Sequence, residues 1–256
     1  MTPLFTLVAL AVAAAVIAVI GVFLWQLGRG ALGDGAQTFR IVFRGAWAAA
    51  AVIVLVAVIT MIVDLASPAI TMTVPLQNVW PRPLPGVSIT PPAAQVQAAG
   101  ITLADLTVTG VSWPARIIWT IGQGLSILLP AAAAALIALA ARHLLNGVPF
   151  SPVLTRTVRL AAFTVLIVGS VAPVLRGIAG SMTSYEALQI GSASWTGYPD
   201  DWAPSDALPQ PTIHIPFEFW PLGVGIALLL VAAILQFGTR LGAEKDLLQK
   251  DTEGLV

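Results

Sequence analysis

The chain has 256 residues, of which 57% are hydrophobic and only 9% are charged, and its 12 basic and 12 acidic residues give a formal net charge of zero. It contains no cysteine, which excludes disulfides, thiolate metal ligands, thiol nucleophiles and cysteine-linked lipids. This composition is typical of an integral membrane protein.

Five stretches contain no charged residue and are long enough to cross a bilayer, since a span needs about 20 mostly apolar residues. The first stretch lacks a basic leading region and is too long for a typical secretory signal, so we expect a retained helix. The sequence thus predicts an all-α membrane protein, a five-helix transmembrane bundle forming one domain, with spans at about 4–25, 45–64, 117–141, 158–176 and 219–239.

Basic residues set the predicted orientation, because short cytoplasmic loops are enriched in Lys and Arg. With the N-terminus outside, nine basic residues are cytoplasmic and three are outside. We therefore predict a cell-membrane protein with an outside N-terminus and a cytoplasmic C-terminus. Most acidic residues then face outward, and a net negative surface of this kind is not expected to bind nucleic acid.

Two outside loops, 65–116 and 177–218, are too long to be simple connections. Alternating or β-branched patterns predict strands at Ala69 to Val74, Gly100 to Trp113 and Thr212 to Phe219. Pro-rich stretches lie between these patterns and disfavour regular pairing. We expect the two loops to form a small extracytoplasmic cap that contains β-structure.

The third span carries polar residues at three- and four-residue spacing, which places Thr120, Gln123, Ser126 and Pro130 on one face of a helix. Pro130 frees the carbonyl of Ser126, so a kink is expected. The face either packs as a polar seam inside the bundle or lines a cavity. The seam is the favoured interpretation, because polar groups in membrane helices usually bond across helices or to their own backbone.

Aromatic and basic residues near the ends of the spans are candidate anchors at the membrane interface, where amphipathic rings and long cationic side chains are favoured. These anchors are Trp25, Trp47, Trp113, Trp119, Trp220, Arg156 and Arg159.

No group of residues predicts catalysis or a metal. The two histidines, His143 and His214, fall on opposite sides of the membrane in the predicted topology, so they cannot share a metal or a proton relay. His143 is expected to bond a helix-terminal carbonyl or to extend towards the interface. Asp200, Asp201 and Asp206 lack the spacing of a calcium loop and are interpreted as a solvated loop. We expect no enzyme activity and no cofactor.

Two segments resemble a known family. Asn146 to Phe163 reads NGVPFSPVLTRTVRLAAF, in which Ser151 suits a helix N-cap and Pro152 the first helical position, and the C-terminal Leu247 to Val256 reads LLQKDTEGLV. This pairing resembles the bacterial membrane family catalogued as domain of unknown function 2975, over the last four predicted spans. The resemblance implies no catalytic residues. It also implies a regulatory partner, because members often occur beside a small helix-turn-helix regulator.

The sequence therefore predicts a multipass bacterial membrane protein for interaction, sensing or envelope regulation, without catalysis. Its expected partners are the lipid bilayer and another membrane or cytoplasmic regulatory protein. The alternative is a passive transporter or channel subunit that uses the polar face of the third helix. Ion-coupled transport is disfavoured, because the spans lack the ionisable residues that carry such coupling.

Single introduced cysteines test the orientation, because the natural chain has none. A thiol reagent that cannot cross the membrane should label cysteines at positions 95 and 205 in intact cells, and positions 35 and 250 only after permeabilisation. The reverse pattern would show that the orientation is inverted.

Overall fold

The computed structural model describes residues 35–79, 100–146, 151–192 and 208–253. Within these ranges the chain forms helices and a pair of strands in the order helix, two strands, three helices. These elements are α1 (Gly35–Ala66), β1 (Ala69–Val79), β2 (Ile101–Thr109), α2 (Trp113–Leu145), α3 (Pro152–Leu188) and α4 (Trp220–Glu253).

Four helices of the described part are apolar and long enough to cross a membrane. Their spans are Phe39–Ala66, Trp113–His143, Pro152–Leu188 and Trp220–Leu241. The chain is thus mostly helical and has the features of a multipass membrane protein. The first predicted span, 4–25, lies outside the described residues, so the structure supports four spans and not the predicted five.

The helices extend beyond the predicted spans. The predicted span 158–176 ends at Arg176, whereas α3 continues to Leu188 through a stretch that was predicted to be loop. The span prediction stops at this first charge because a bilayer disfavours charged groups. A helix needs only backbone hydrogen bonds and a packing partner, and residues 177–188 have both.

The chain divides into two compact units. The helical unit contains the described residues of 35–60, 124–171 and 218–253, and the hairpin unit contains those of 61–123 and 172–217. Helices α1, α2 and α3 therefore contribute residues to both units.

The hairpin unit is built around β1 and β2, which pair antiparallel with Ile70 opposite Val108 and Val74 opposite Ala104. Strand alternation puts Ile70, Met72 and Val74 on one face, where they are almost fully buried. This face packs against Trp119 of α2 and Ala179 of α3. The first two predicted strands are confirmed in position, although β2 ends at Thr109.

The other face of the hairpin carries two pairs of hydrogen-bonded polar side chains. Thr71 and Thr107 are joined through their hydroxyl groups at 2.9 Å, and the Thr73 hydroxyl donates to Asp105 Oδ1 at 2.7 Å. After β2, Gly110 adopts a positive φ of 74°, which glycine tolerates without the steric cost of a side chain. The chain thereby turns from β2 into α2.

The predicted strand at Thr212 to Phe219 is wrong. Residues 212–219 form no strand. The chain just before them makes an isolated bridge between Leu76 and Pro211, and the Gln77 N–H donates to the Gln210 carbonyl at 2.9 Å. Pro211 and Pro216 have no N–H to donate to a ladder. The N–H groups of Thr212 and His214 instead bond serines of α3.

In the helical unit, α3 and α4 approach closely because glycine stands where a side chain would overlap. A Cβ on Gly225 would overlap the side chain of Leu166, and one on Gly169 would lie 2.7 Å from Pro221 Cβ. Closer to the start of α3, Leu154 shares a buried cluster with Ala232 of α4. Such close approach through small residues is typical of membrane helix packing.

The start of α3 confirms the predicted cap. Ser151 precedes Pro152, the first helical residue, and the Ser151 hydroxyl accepts from the Leu154 N–H at 3.0 Å. His143 Nδ1 lies 3.2 Å from the same hydroxyl. His143 therefore contacts a capping side chain and not a helix-terminal carbonyl, which was one of the two roles expected of it. The other role, extension towards the interface, stays a prediction.

Gly180→Ala tests the packing of the hairpin unit, because a Cβ there would overlap the Thr73 carbonyl oxygen. Alanine favours helix by about 1 kcal/mol over glycine, but overpacking against backbone costs about 1–3 kcal/mol. We expect a net loss of stability, seen as a lower melting temperature in detergent.

Gly223→Ala in α4 is the matched helical control, since no atom lies within 4 Å of its added Cβ. An unchanged melting temperature for Gly180→Ala would contradict the close approach of β1 to α3.

Candidate functional site

The candidate site lies in the hairpin unit, on a face of α3 formed by small residues. Gly177, Gly180, Ser181 and Ser184 recur at three- and four-residue spacing and share one side of the helix. A Cβ on Gly177 would overlap Pro216 Cδ, and Gly180 meets the backbone of β1. The absence of side chains at these glycines lets two extended segments lie directly on the helix.

The two serines bond these segments. The Ser184 hydroxyl, which is fully buried, donates to the Pro75 carbonyl at 2.6 Å and accepts from the Thr212 N–H at 3.3 Å. The Ser181 hydroxyl accepts from the His214 N–H at 3.1 Å and donates to the Gly177 carbonyl at 2.7 Å. Ser184 of α3 therefore bonds both β1 and the segment that contains Thr212, and its hydroxyl links the two.

Arg116, in the first turn of α2, holds the end of α1. Its guanidinium donates to the carbonyls of Ser67 at 2.5 Å, Leu65 at 3.3 Å and Pro68 at 3.3 Å. The residue is only 8% exposed. These carbonyls have no partner within the helix, so a cation with several donors is well suited to them.

Glu186, near the end of α3, holds the start of α2. Its carboxylate accepts from the Ser112 N–H at 3.0 Å and from the Ser112 hydroxyl at 2.5 Å. A negative charge is favoured at a helix N-terminus because unpaired N–H groups point there. Arg116 thus fixes the connection from α1 to β1, and Glu186 fixes the connection from β2 to α2.

A cavity of about 150 Å³ lies between the hairpin, the helices and the segment that follows residue 208. A cavity of that size accommodates a ligand about as large as benzene. Its walls combine apolar surface with groups that donate hydrogen bonds. They are formed by Thr73, Pro75, Leu103, Trp119, Pro173, Arg176, Gly177, His214 and Pro216.

The polar groups around this cavity suit the binding of a small ligand. Ser181 lies beside it, but the hydrogen bond that Ser181 accepts from His214 comes from the backbone N–H and not from the imidazole. An activated serine requires a base whose side chain accepts the hydroxyl proton. Arg176 and His214 can instead orient a small ligand that accepts hydrogen bonds.

The residues of the predicted polar face lie on α2 but are not all equally buried. Thr120 is fully buried, Gln123 and Ser126 are half-buried, and Pro130 is exposed. Among the described residues, the Thr120 hydroxyl has no hydrogen-bond partner. Helix α2 is continuous through Pro130. Thr120 and Gln123 belong to the hairpin unit, and Ser126 and Pro130 belong to the helical unit.

The predicted anchors differ in exposure. Trp119 is buried in the hairpin cluster, and Trp25 lies outside the described residues. Arg159 donates to Gln236 Oε1 at 2.9 Å. The exposed anchors are Trp47, Trp113, Trp220, Arg156 and Arg159.

Asp200, Asp201 and Asp206 lie outside the described residues. The residues that sequence reasoning missed are Arg116, Glu186, Ser181 and Ser184. For the two serines a signal exists, because Gly177, Gly180, Ser181 and Ser184 follow the same helical spacing as a packing face. For Arg116 and Glu186 no local pattern distinguishes these charges from others at span ends.

No protein-family model, curated protein or solved structure matches this chain.

Arg116→Gln tests the link between α1 and α2. The change removes most of the donors that satisfy three backbone carbonyls, and hydrogen bonds of charged groups contribute about 1.5–3 kcal/mol. We expect a loss of stability of about 2 kcal/mol in thermal or denaturant unfolding in detergent. Arg156→Gln is the control, because Arg156 is exposed. Equal stability of the two variants would contradict a structural role for Arg116.

Proposed function

We propose that this protein is a noncatalytic multipass membrane protein that acts by interaction or sensing, with the hairpin unit as its recognition surface. The observation that carries this proposal is the fastening of β1 and β2 to the ends of three helices, through Arg116, Glu186 and Ser184. Binding surfaces on rigid elements hold their geometry without an entropic cost at each encounter.

Two parts of the hairpin unit offer recognition. The outer face of the hairpin presents Thr71, Thr73, Asp105 and Thr107, whose side chains are joined in pairs by hydrogen bonds on the solvent side of the strands. The cavity beside Trp119 offers apolar walls with polar donors, as small-molecule sites commonly do. A partner that contacts the outer face and a ligand in the cavity would act on the same small unit.

The proposed setting is the cell membrane, as a five-helix bundle with the N-terminus outside and the C-terminus in the cytoplasm. The nine-to-three division of basic residues supports this orientation and makes the hairpin unit extracytoplasmic. The resemblance to domain of unknown function 2975 supports a membrane or cytoplasmic regulatory protein as partner.

A photo-crosslinking amino acid in place of Thr107 tests the recognition surface in native membranes. We expect a discrete protein adduct from this position and none from Ile234, which is 65% exposed on α4 and serves as the lipid-facing control. Adding Asp105→Lys should strongly reduce the adduct, because it reverses the only charge among the four residues of the outer face. Absence of the Thr107 adduct, or an equal adduct from Ile234, would reject the proposal.

The alternative, a passive transporter or channel subunit, predicts a different result from the polar face of α2. Under that alternative Gln123→Leu abolishes solute flux in reconstituted vesicles, because it removes the amide from the permeation path. Under the recognition proposal the change is tolerated, since interhelical hydrogen bonds in membranes contribute about 0.6 kcal/mol on average. A flux that Gln123→Leu removes would favour the transporter.

A further inference from the structure

Residues 212–217, which precede α4, form an extended segment that lies against α3 in the hairpin unit. The N–H groups of Thr212 and His214 donate to serine hydroxyls of α3 at 3.3 Å and 3.1 Å. The Cα atom of Ile215 lies 3.2 Å from the position that a Cβ on Gly177 would take, so the backbone of the segment rests directly on the helix. One side of the segment is therefore fixed against protein.

The other side of the segment is apolar and exposed. Ile213 is 66% exposed, Ile215 51% and Phe217 54%, and they stand at every second position of an extended chain. Residues 208–217 contain no Asp, Glu, Lys or Arg. His214, which is also exposed, borders the cavity of the hairpin unit. Large apolar side chains in a row on an uncharged surface are typical of a contact with a membrane or with another protein.

The position of the segment in the chain indicates that its partner is lipid. Trp220, three residues after Phe217, begins the candidate span Trp220–Leu241. Three residues reach at most about 10 Å, so only a short piece of chain separates Phe217 from a membrane helix. Trp220 is 50% exposed, and its indole N–H donates to the Glu218 carboxylate at 2.5 Å. An aromatic ring with one satisfied polar group is favoured at the membrane–water interface.

A second element of the hairpin unit also reaches the membrane. The unit contains residues 113–123, which begin the candidate span Trp113–His143. Trp113, Ile117 and Ile121 follow one another at four-residue spacing on one face of α2, and they are 64%, 44% and 43% exposed. Because this exposed apolar face belongs to a membrane span, the hairpin unit itself extends to the depth of the bilayer.

The backbone of the segment suits a surface with little water. Of residues 211–216, Pro211 and Pro216 have no N–H, and Thr212 and His214 donate theirs to serines. At most two N–H groups of this stretch then require water or another acceptor. The segment thus lacks most of the unpaired donors that exclude open strands from hydrocarbon.

We propose that residues 213–217 lie at the membrane–water interface, with the side chains of Ile213, Ile215 and Phe217 inserted among the lipids. This contact is additional to the recognition role of the hairpin unit and does not depend on it. It seats the hairpin unit on the bilayer. It also gives the segment two faces, one in contact with lipid and one that contributes Pro216 to the cavity wall.

Spin labels on single introduced cysteines measure this contact, because the natural chain has no cysteine. In liposomes of phosphatidylcholine and phosphatidylglycerol, we compare collisions of each label with oxygen, which concentrates in lipid, and with a water-soluble nickel chelate. Exposed Ile234→Cys on α4 is the lipid-facing control, and exposed Thr107→Cys on β2 is the water-facing control. The ratio of oxygen to nickel collisions for Ile213→Cys, Ile215→Cys and Phe217→Cys should be several-fold above that for Thr107→Cys. It should rise from position 213 to position 217, towards the start of α4.

Two other results overturn the proposal. A ratio equal to that of Thr107→Cys would show that the segment faces water. Low collision rates with both reagents would show that protein covers it, either the rest of the chain or a second copy.

A measurement on the unaltered protein makes the test independent of any substitution. Phospholipids that carry a photoreactive diazirine beside the glycerol should form adducts with residues 213–217, located by mass spectrometry, and not with residues 105–109 of the hairpin. Absence of adducts from 213–217, or equal adducts in both stretches, would contradict the proposal even if a labelled variant failed to fold.

Discussion

The hairpin unit depends on how the backbone carbonyls at the C-terminal end of α1 are hydrogen-bonded. A helix ends with carbonyls that have no partner of their own, and a membrane protein cannot leave such groups facing hydrocarbon. Arg116 donates to three carbonyls between Leu65 and Pro68 and is almost completely buried. Because β1 begins at Ala69, directly after these carbonyls, the same contact fixes where the hairpin starts.

The small-residue face of α3 provides the second constraint. Glycine at positions 177 and 180 removes the side chains that would hold extended segments away, and Ser181 and Ser184 supply the hydrogen bonds that replace a third strand. A two-stranded hairpin alone is marginally stable in water. Packing Met72 and Val74 against Trp119 and α3 provides the burial that a third strand would otherwise supply.

The parts of the fold that were predicted correctly are those with a local signal. Charge-free runs predicted the four helices, alternation predicted β1 and β2, and Ser151 followed by Pro152 predicted the start of α3. The predicted strand after Pro211 failed for a physical reason. Its pattern alternates as a strand does, but serine hydroxyls of α3 compete for its N–H groups and two prolines interrupt the ladder.

The candidate site was not predictable in the same way, because its contacts join residues far apart in sequence. Arg116 bonds carbonyls 48 to 51 residues earlier, and Ser112 bonds Glu186 74 residues later. From sequence alone, a charged residue at the end of a span is equally consistent with an anchor in the lipid headgroups and with a hydrogen-bonding partner inside the protein. Trp119 shows the same ambiguity, since a tryptophan near a span end fits either the interface or the protein core where it lies.

Hydrogen exchange of the backbone amides in the unaltered protein, followed by mass spectrometry in lipid nanodiscs, measures most directly whether the hairpin unit is a folded surface. A hairpin fastened to three helix ends should protect the paired amides of 69–75 and 103–109 for minutes to hours, far longer than an unstructured peptide. Exchange of both strands at the rate of an unstructured peptide would contradict a rigid recognition unit.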